Sequence, residues 1–201
     1  FAGEAEDQRL DGVFKDAWNG KLEPIYNYMD DLPALQGEPP PILPRKHVVR
    51  TSGSLSSIDL GRGCPYQCSF CTIINVQGRK SRFRTPADLE RIIRENHAQG
   101  IKRFFITDDN FARNRDWEIL FDKMIELRGE GMKLGFTIQV DTLCHKIPNF
   151  IEKAGKAGVR RVFIGLENIN PDNLIAAKKR QNKITEYREM LQMWRDAGAI
   201  T

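Results

Sequence analysis

No run of apolar residues in this chain approaches the roughly 20 that a membrane-spanning helix needs, and no signal-peptide pattern stands at its start. Blocks of five or more like charges are also absent, and the net charge is only +4. We therefore expect a cytoplasmic protein that does not span a membrane. The small net charge does not by itself indicate nucleic acid as a partner.

Cysteine is scarce, with four in 201 residues, and its distribution is uneven. Three of the four, Cys64, Cys68 and Cys71, lie within eight residues, while Cys144 stands alone. This usage fits metal binding in a reducing cytoplasm better than a framework of disulfides.

The spacing of the three cysteines places three soft thiolate ligands on one short loop, which suits zinc or an iron–sulfur cluster. A structural zinc site usually needs four ligands in two paired hairpins, so zinc is the weaker interpretation. Ferredoxin loops carry a related run that differs by one residue in the first interval. Three thiolates without a fourth partner would leave one metal position open, as a catalytic centre requires. Ordinary buried thiols are the remaining alternative.

Length and composition allow one sizeable core, since the 201 residues are 40% hydrophobic and 29% charged. The chain starts at Phe1 and stops at Thr201, directly after an apolar residue that follows a helix and a glycine. We expect one domain with an appendage, cut at both ends.

The first 54 residues are rich in proline and polar residues, and we expect a linker rather than a core. The run Pro39–Pro41 predicts extended polyproline II structure. Residues 11–20 predict a short amphipathic helix, whose apolar side carries Val13, Phe14, Ala17 and Trp18.

From residue 55 onward, helical and strand periods alternate. Strands are predicted at 55–60, 103–106, 134–140 and 162–164, with a fifth beginning at Ile200. Helices between them begin at Pro86 after the cap Thr85, at Trp117, at Pro148, at Pro171 after Asn170, and near Tyr187. The fold class is therefore α/β: a partial (β/α) barrel of parallel strands with outer helices, truncated at its C-terminal side and preceded by a proline-rich linker.

Polar side chains follow the second, third and fourth strands, at the end of the sheet where such folds bind ligands and where the cysteine loop follows the first strand. They are Asp108, Asp109 and Asn110, then Gln139 and Asp141, then Glu167 and Asn168. The group after the second strand could bind an ammonium group or could simply cap a helix. Glu167 has a competing interpretation as the partner of Arg160 or Arg161 in a salt bridge.

The motif C-x3-C-x-aromatic-C, with Phe70 as its aromatic residue, resembles the signature of the radical S-adenosylmethionine superfamily. The resemblance implies a 4Fe-4S cluster held by Cys64, Cys68 and Cys71, with S-adenosylmethionine bound to its remaining iron. It implies an enzyme in which the reduced cluster cleaves S-adenosylmethionine to a 5′-deoxyadenosyl radical, supplied with electrons by a reductant such as ferredoxin or flavodoxin. The protein positions and shields these cofactors.

The same resemblance assigns roles to strand-end residues. The Asp108–Asn110 run lies where family members hold the methionine amino group, although their motif is commonly Gly-Gly-Glu. Glu167 lies where many members contact the ribose or methionine part of the cofactor. Arg82 and Arg84 could meet the cofactor carboxylate or be solvated loop charges.

Read together, Gly-Glu-Ala-Glu near the start, the proline-rich linker and the three later motifs resemble members that carry an N-terminal cobalamin-binding domain. On this view residues 1–54 are the tail of that domain and a linker, and residues 55–201 are an incomplete catalytic barrel. The Asp-x-His-x-x-Gly cobalamin motif is absent here. Cobalamin, used for methyl transfer or rearrangement on an unknown substrate, is therefore implied only through a domain outside this stretch.

Two other classes of function stay open. One is an iron–sulfur electron-transfer module that uses Cys144 as fourth ligand. The other is a zinc-based nucleic-acid-binding module that uses the basic stretch 79–84.

Overall fold

The computed structural model describes residues 1–5, 7–39, 42, 44–52 and 55–201. Its helices are α1 Asp7–Trp18, α2 Arg45–Ser52, α3 Ile73–Val76, α4 Pro86–Ala98, α5 Trp117–Gly129, α6 Phe150–Ala157, α7 Pro171–Ala176 and α8 Tyr187–Asp196. Its strands are β1 Leu55–Ile58, β2 Gly61–Arg62, β3 Arg82–Phe83, β4 Arg103–Ile106, β5 Gly135–Val140 and β6 Val159–Ile164.

Four strands form a parallel sheet in the order β1-β4-β5-β6. Each neighbour in the sheet is also the next of these strands along the chain, with helices in the connections, which is the arrangement that βαβ units produce. Ile200 continues the series, because it bridges in parallel to Arg161 on the outer edge of β6. The α/β partial-barrel prediction is confirmed, and the carboxyl ends of all four strands lie at one edge.

One face of the sheet is covered by helices and holds the core. Alternate residues of β4 and β5, such as Phe104 and Ile138, are buried, because a strand directs every second side chain to the same face. Helix α5 buries Leu120, Phe121, Met124 and Leu127. Helix α4 begins as predicted, with Thr85 and Asp88 in a reciprocal capping box.

Several predicted boundaries move. Strand β6 begins at Val159, three residues before its predicted start, and α6 begins at Phe150 after two further residues of loop. Strand β1 ends at Ile58, two residues before its predicted end, and the short strand β2 that follows it was not predicted and pairs antiparallel with β3. This small ribbon closes the base of the loop that carries the three cysteines.

Residues near the N-terminus, in the stretch that we expected to be a linker, contact that ribbon. Glu4 forms salt bridges with Arg62 and Arg82, and the Arg82 guanidinium also donates to the Pro33 carbonyl oxygen at 2.8 Å. Arg84 is 2% exposed and pairs with Asp59 at 3.0 Å. Neither Arg82 nor Arg84 is therefore a solvated loop charge, and neither lines the cavity described below.

Helix α1 is present, but its predicted apolar side is not buried: Phe14 is 69% and Trp18 92% exposed. Helix α2 was missed because three nearby prolines dominated the local signal, yet its Val48 joins the core. The predicted polyproline run includes Pro40 and Pro41, and the predicted domain boundary adjoins Ser54, all of which lie outside the described residues. No helix within the described ranges combines the length and apolar character needed to cross a membrane.

Candidate functional site

A cavity of about 300 Å³ opens at the carboxyl ends of the parallel strands, and the cysteine loop forms one of its walls. Residues from β5, β6 and the loops that follow β4 and α7 complete it. The lining residues are Cys64, Tyr66, Cys68, Phe70, Cys71, Asp109, Asn110, Gln139, Val140, Asp141, Phe163, Ile164, Gly165, Glu167, Lys179 and Gln181. The structure thus brings all three clustered cysteines together with five of the six other predicted site residues.

Gly63 sets the direction in which the chain enters the cysteine loop. Its φ is +90°, and a Cβ added there would lie 3.1 Å from the carbonyl oxygens of Gly78 and Lys80. A glycine is therefore required by both the backbone conformation and the close approach of the returning chain. The Gly63 amide donates to Gln77 Oε1 at 3.1 Å, which fixes the start of the loop against its end.

Asp108 occupies a different place from the one that the cofactor prediction implies. It is 2% exposed, does not line the cavity, and its Oδ1 accepts hydrogen bonds from the amides of Leu60 and Gly61, both at 2.7 Å. Burial raises the pKa of this carboxyl to about 7, against the lowering effect of these hydrogen bonds. Asp108 therefore holds the connection between β1 and β2 and is already occupied by protein donors.

Asp109, Asn110 and Gln139 do reach the cavity. Asp109 Oδ2 accepts from the Gly63 amide at 3.3 Å, and burial raises the pKa of its carboxyl. The Gln139 amide nitrogen donates to the Asp108 carbonyl oxygen at 3.2 Å, which ties β5 to the loop after β4. Asp109 is the carboxylate among these three residues, and within the described part of the chain the donor to its side chain is the Gly63 amide.

An ionic group supports the cysteine loop from the side, and of its members the sequence indicated Asp141 and Asn110 but not Arg113. Arg113 binds Asp141 through two hydrogen bonds, at 2.6 and 2.9 Å, and Asn110 Nδ2 donates to the same carboxylate at 2.9 Å. The Arg113 guanidinium lies 5.7 Å from the centre of the Tyr66 ring, within the cysteine loop. Burial, together with the Asp141 charge, raises the pKa of Tyr66 to about 12. Tyr66 is therefore a neutral, fixed wall of the cavity.

Glu167 lines the cavity, and its partner is neither of the two arginines that we considered. Its Oε1 lies 2.5 Å from Nζ of Lys179, a residue that is only 6% exposed. Glu167 has a φ of 59°, a left-handed conformation that is uncommon for a residue with a side chain and is often found at functional sites. Lys179 had no motif to reveal it, because it comes close to Glu167 only through the fold.

The three thiols fit the donor chemistry of an iron–sulfur cluster. All four cysteines of the chain are free, and burial, reinforced by the nearby Asp109, Cys71 and Cys68, raises the pKa of the Cys64 thiol. Positive iron would offset that penalty, because thiolates are the metal-binding form. In the described part of the chain, no three His, Cys, Asp or Glu side chains converge on one metal ion. A cluster needs no such convergence, since its thiolates bind different irons.

Cys144 is separated from this wall. It has no exposed surface, belongs to the hydrophobic core, and does not line the cavity. Burial raises the pKa of its thiol to about 12, which disfavours the thiolate that a metal ligand requires. The Cys144 position therefore does not support the electron-transfer hypothesis.

Comparison with known proteins gives a consistent result. A family model described as the radical SAM superfamily matches residues 58–201. The chain is 30% identical over 183 residues to bacteriochlorophyllide d C-12(1)-methyltransferase of Chlorobaculum tepidum, a match that covers 88% of this chain and 39% of that protein. It is 32% identical over 141 residues to hopanoid C-2 methylase of Rhodopseudomonas palustris, covering 67% of this chain and 26% of that protein.

Among solved structures, the chain resembles TsrM from Kitasatospora setae, a radical S-adenosylmethionine methyltransferase. With tryptophan and a S-adenosylmethionine analogue bound, TsrM matches at a TM-score of 0.69 and 22% identity, over 84% of this chain and 33% of TsrM. With cobalamin and a [4Fe-4S] cluster bound, TsrM matches at a TM-score of 0.65 and 24% identity, over 73% of this chain and 30% of TsrM. These likenesses concern the fold, and the chain spans 39% or less of the proteins named here.

We expect Asp108→Ala to destabilise the metal-free chain by about 1–3 kcal/mol for each of the two buried amides that lose their acceptor. Urea unfolding followed by circular dichroism measures the loss. Asp122→Ala is the matched control, because the Asp122 side chain is 55% exposed and pairs with Lys153 at the surface. Equal stability of the two variants would contradict the role that we assign to Asp108.

We expect Cys144→Ala to leave the iron content of the reconstituted chain unchanged, because Cys144 lies in the core and outside the cavity. Iron and sulfide analysis after anaerobic reconstitution provides the measurement. Cys68→Ala is the comparison, and it should lose most of the iron. Depletion in Cys144→Ala without loss of folding would restore the four-cysteine electron-transfer hypothesis.

Proposed function

Because the chain belongs to the radical SAM superfamily, we propose that it carries the catalytic centre of a radical S-adenosylmethionine enzyme that takes part in methyl transfer. The observation that carries the proposal is the shared cavity: three cysteines from one loop face strand-end carboxylates and a buried lysine. When bound, a reduced 4Fe-4S cluster supplies an electron for the cleavage of S-adenosylmethionine to a 5′-deoxyadenosyl radical.

The residues of this chain have defined parts in that proposal. Cys64, Cys68 and Cys71 hold the cluster, and Phe70, between two of them, lines the same cavity. Cys68 is buried and Cys64 and Cys71 are half-buried, which limits the access of water to the three sulfurs.

The amino-acid end of S-adenosylmethionine carries an ammonium and a carboxylate, and the cavity offers a partner for each. Asp109 and Glu167 present carboxylates that can accept from the ammonium. Lys179 Nζ, already beside Glu167, presents the positive charge that a carboxylate requires. Asn110 and Gln139 complete the polar wall as amides.

Methyl transfer with cobalamin is supported by the relatives. Two proteins that the chain resembles are named as a methyltransferase and a methylase, and TsrM has been solved with cobalamin. We propose that cobalamin is held by residues outside this 201-residue stretch, through a domain that precedes it. A cobalamin-binding histidine motif in the adjoining sequence would support the proposed dependence on cobalamin. Its absence would support a radical S-adenosylmethionine enzyme that works without cobalamin.

The electron comes from a one-electron reductant, for which we propose a ferredoxin or flavodoxin. The free thiols and the redox chemistry suit the reducing cytoplasm.

The function is tested by anaerobic reconstitution with iron and sulfide. We expect about four irons per chain, and an electron paramagnetic resonance spectrum of the reduced cluster that changes when S-adenosylmethionine is added. Dithionite should then yield 5′-deoxyadenosine, measured by chromatography, and replacement of Cys64, Cys68 or Cys71 by alanine should abolish it. A folded chain that binds zinc and does not bind iron under these conditions would contradict the proposal.

We further expect Asp109→Asn and Glu167→Gln each to weaken S-adenosylmethionine binding by about 1.5–3 kcal/mol, roughly tenfold to 150-fold, with cluster content preserved. Each change removes a charge from a hydrogen bond to the ammonium while keeping the shape of the side chain. Calorimetric titration of the reconstituted variants measures the affinities.

Glu118→Gln is the control, because Glu118 lies on α5, is 52% exposed and pairs with Lys153 at the surface. Its affinity should match that of the unmodified chain. The same affinity in all three variants would remove Asp109 and Glu167 from the cofactor site.

A further inference from the structure

The segment 177–182, which follows α7, folds back onto the cysteine loop. The Ser69 amide donates to the Ala177 carbonyl oxygen at 3.0 Å. Gln181 Nε2 donates to Cys68 Sγ at 3.7 Å, and Lys179 Nζ lies 5.7 Å from the centre of the Phe70 ring. Three consecutive residues of the cysteine loop are therefore contacted by one segment from the far side of the cavity.

The segment is held in place on both sides of Gln181. Asn182 is 7% exposed, and its Nδ2 donates to the carbonyl oxygens of Gly165 at 2.9 Å and Leu166 at 2.8 Å, at the end of β6. The Asn182 side chain also accepts from the Thr142 hydroxyl at 3.2 Å. On the other side, Lys179 is fixed by its salt bridge to Glu167. The path of the backbone at Gln181 is thus set by two buried neighbours.

A donor directed at a cysteine sulfur has a physical consequence once that sulfur binds iron. Reduction of an iron–sulfur cluster adds one electron, and the added negative charge is partly carried by the sulfurs. An N–H group that donates to such a sulfur stabilises the reduced form more than the oxidised form, so it raises the reduction potential. Cys68 is itself buried, and a hydrogen bond away from water has a stronger electrostatic effect.

We propose that Gln181, held by its neighbours Lys179 and Asn182, is a positioning residue that sets the reduction potential of the cluster through its hydrogen bond to Cys68. This inference rests on the proposed function, since it needs the cluster at the three cysteines. It assigns to Gln181 a task that is separate from the binding of S-adenosylmethionine, in which we propose that Lys179 takes part.

Gln181→Leu removes the donor and keeps a side chain of similar volume. We expect unchanged iron content and a more negative midpoint potential in a redox titration followed by electron paramagnetic resonance, with dithionite or a mediator set as the electron source. At the midpoint potential of the unmodified chain, the ratio of reduced to oxidised cluster should fall about threefold to tenfold, where tenfold corresponds to 59 mV for one electron.

Gln192→Leu is the matched control, because Gln192 is exposed on α8 and its side-chain hydrogen bonds within the described residues join it to Asp196 and Arg195 of the same helix. It should leave the potential unchanged. A Gln181→Leu chain that holds four irons at an unaltered potential overturns the inference. If Gln181→Leu loses iron, the test uses Gln181→Lys instead, which keeps an N–H donor and adds positive charge. We expect Gln181→Lys to raise the midpoint potential above that of the unmodified chain. A midpoint potential equal to or below that of the unmodified chain overturns the inference. An unmodified chain that binds no cluster would refute the proposed function itself, which is a separate result.

Discussion

One buried carboxylate, that of Asp108, fixes the path of the chain between the first parallel strand and the cysteine loop. Asp108 accepts from the amides of Leu60 and Gly61, the residues that lead into the cysteine loop. The contact is possible because Gly61 has no side chain: a Cβ there would lie 2.8 Å from Asp108 Oδ2. The next residue, Asp109, points the other way and accepts from the Gly63 amide at the cavity. The two adjacent acids thus differ in position: Asp108 fixes the loop, and Asp109 faces the cavity.

Much of this arrangement was predictable because its signals are local. The alternation of Phe104 and Ile106 in β4, the spacing of Leu120, Phe121 and Met124 in α5 and the capping pair Thr85–Asp88 each depend on residues within one or two turns. Parallel strands then place all their carboxyl ends at one edge, so the direction of the chain alone predicted that Asp109 and Glu167 would meet the cysteines. Sequence position could not show which way each acid points, and for that reason Asp108 was grouped with Asp109.

The residues that sequence reasoning missed are those whose partners are distant along the chain. Lys179 meets Glu167, Gln181 meets Cys68, and Arg113 meets Asp141, in each case across separate elements. A lysine or glutamine in a loop has no periodicity, and its most economical interpretation from sequence is a solvated side chain. Burial of Lys179 costs free energy unless its charge is paired. The pairing with Glu167 therefore gives the cavity an ionic lining that only the folded chain can reveal.

Glu4, near the start of the chain, also stabilises the structure around the cysteine loop through contacts that are distant in sequence. Arg62 and Arg82 stand directly opposite each other in the β2–β3 ribbon, and like charges in that position destabilise a strand pair. Glu4 binds both guanidinium groups. Burial acts to raise the pKa of Glu4, but the hydrogen bonds and charges of Arg82 and Arg62 outweigh it and hold that pKa below its ordinary value. The carboxylate is therefore ionised where it is needed, between two cations. Since this ribbon closes the base of the cysteine loop, a residue near the start of the chain helps to hold together the loop on which the cavity is built.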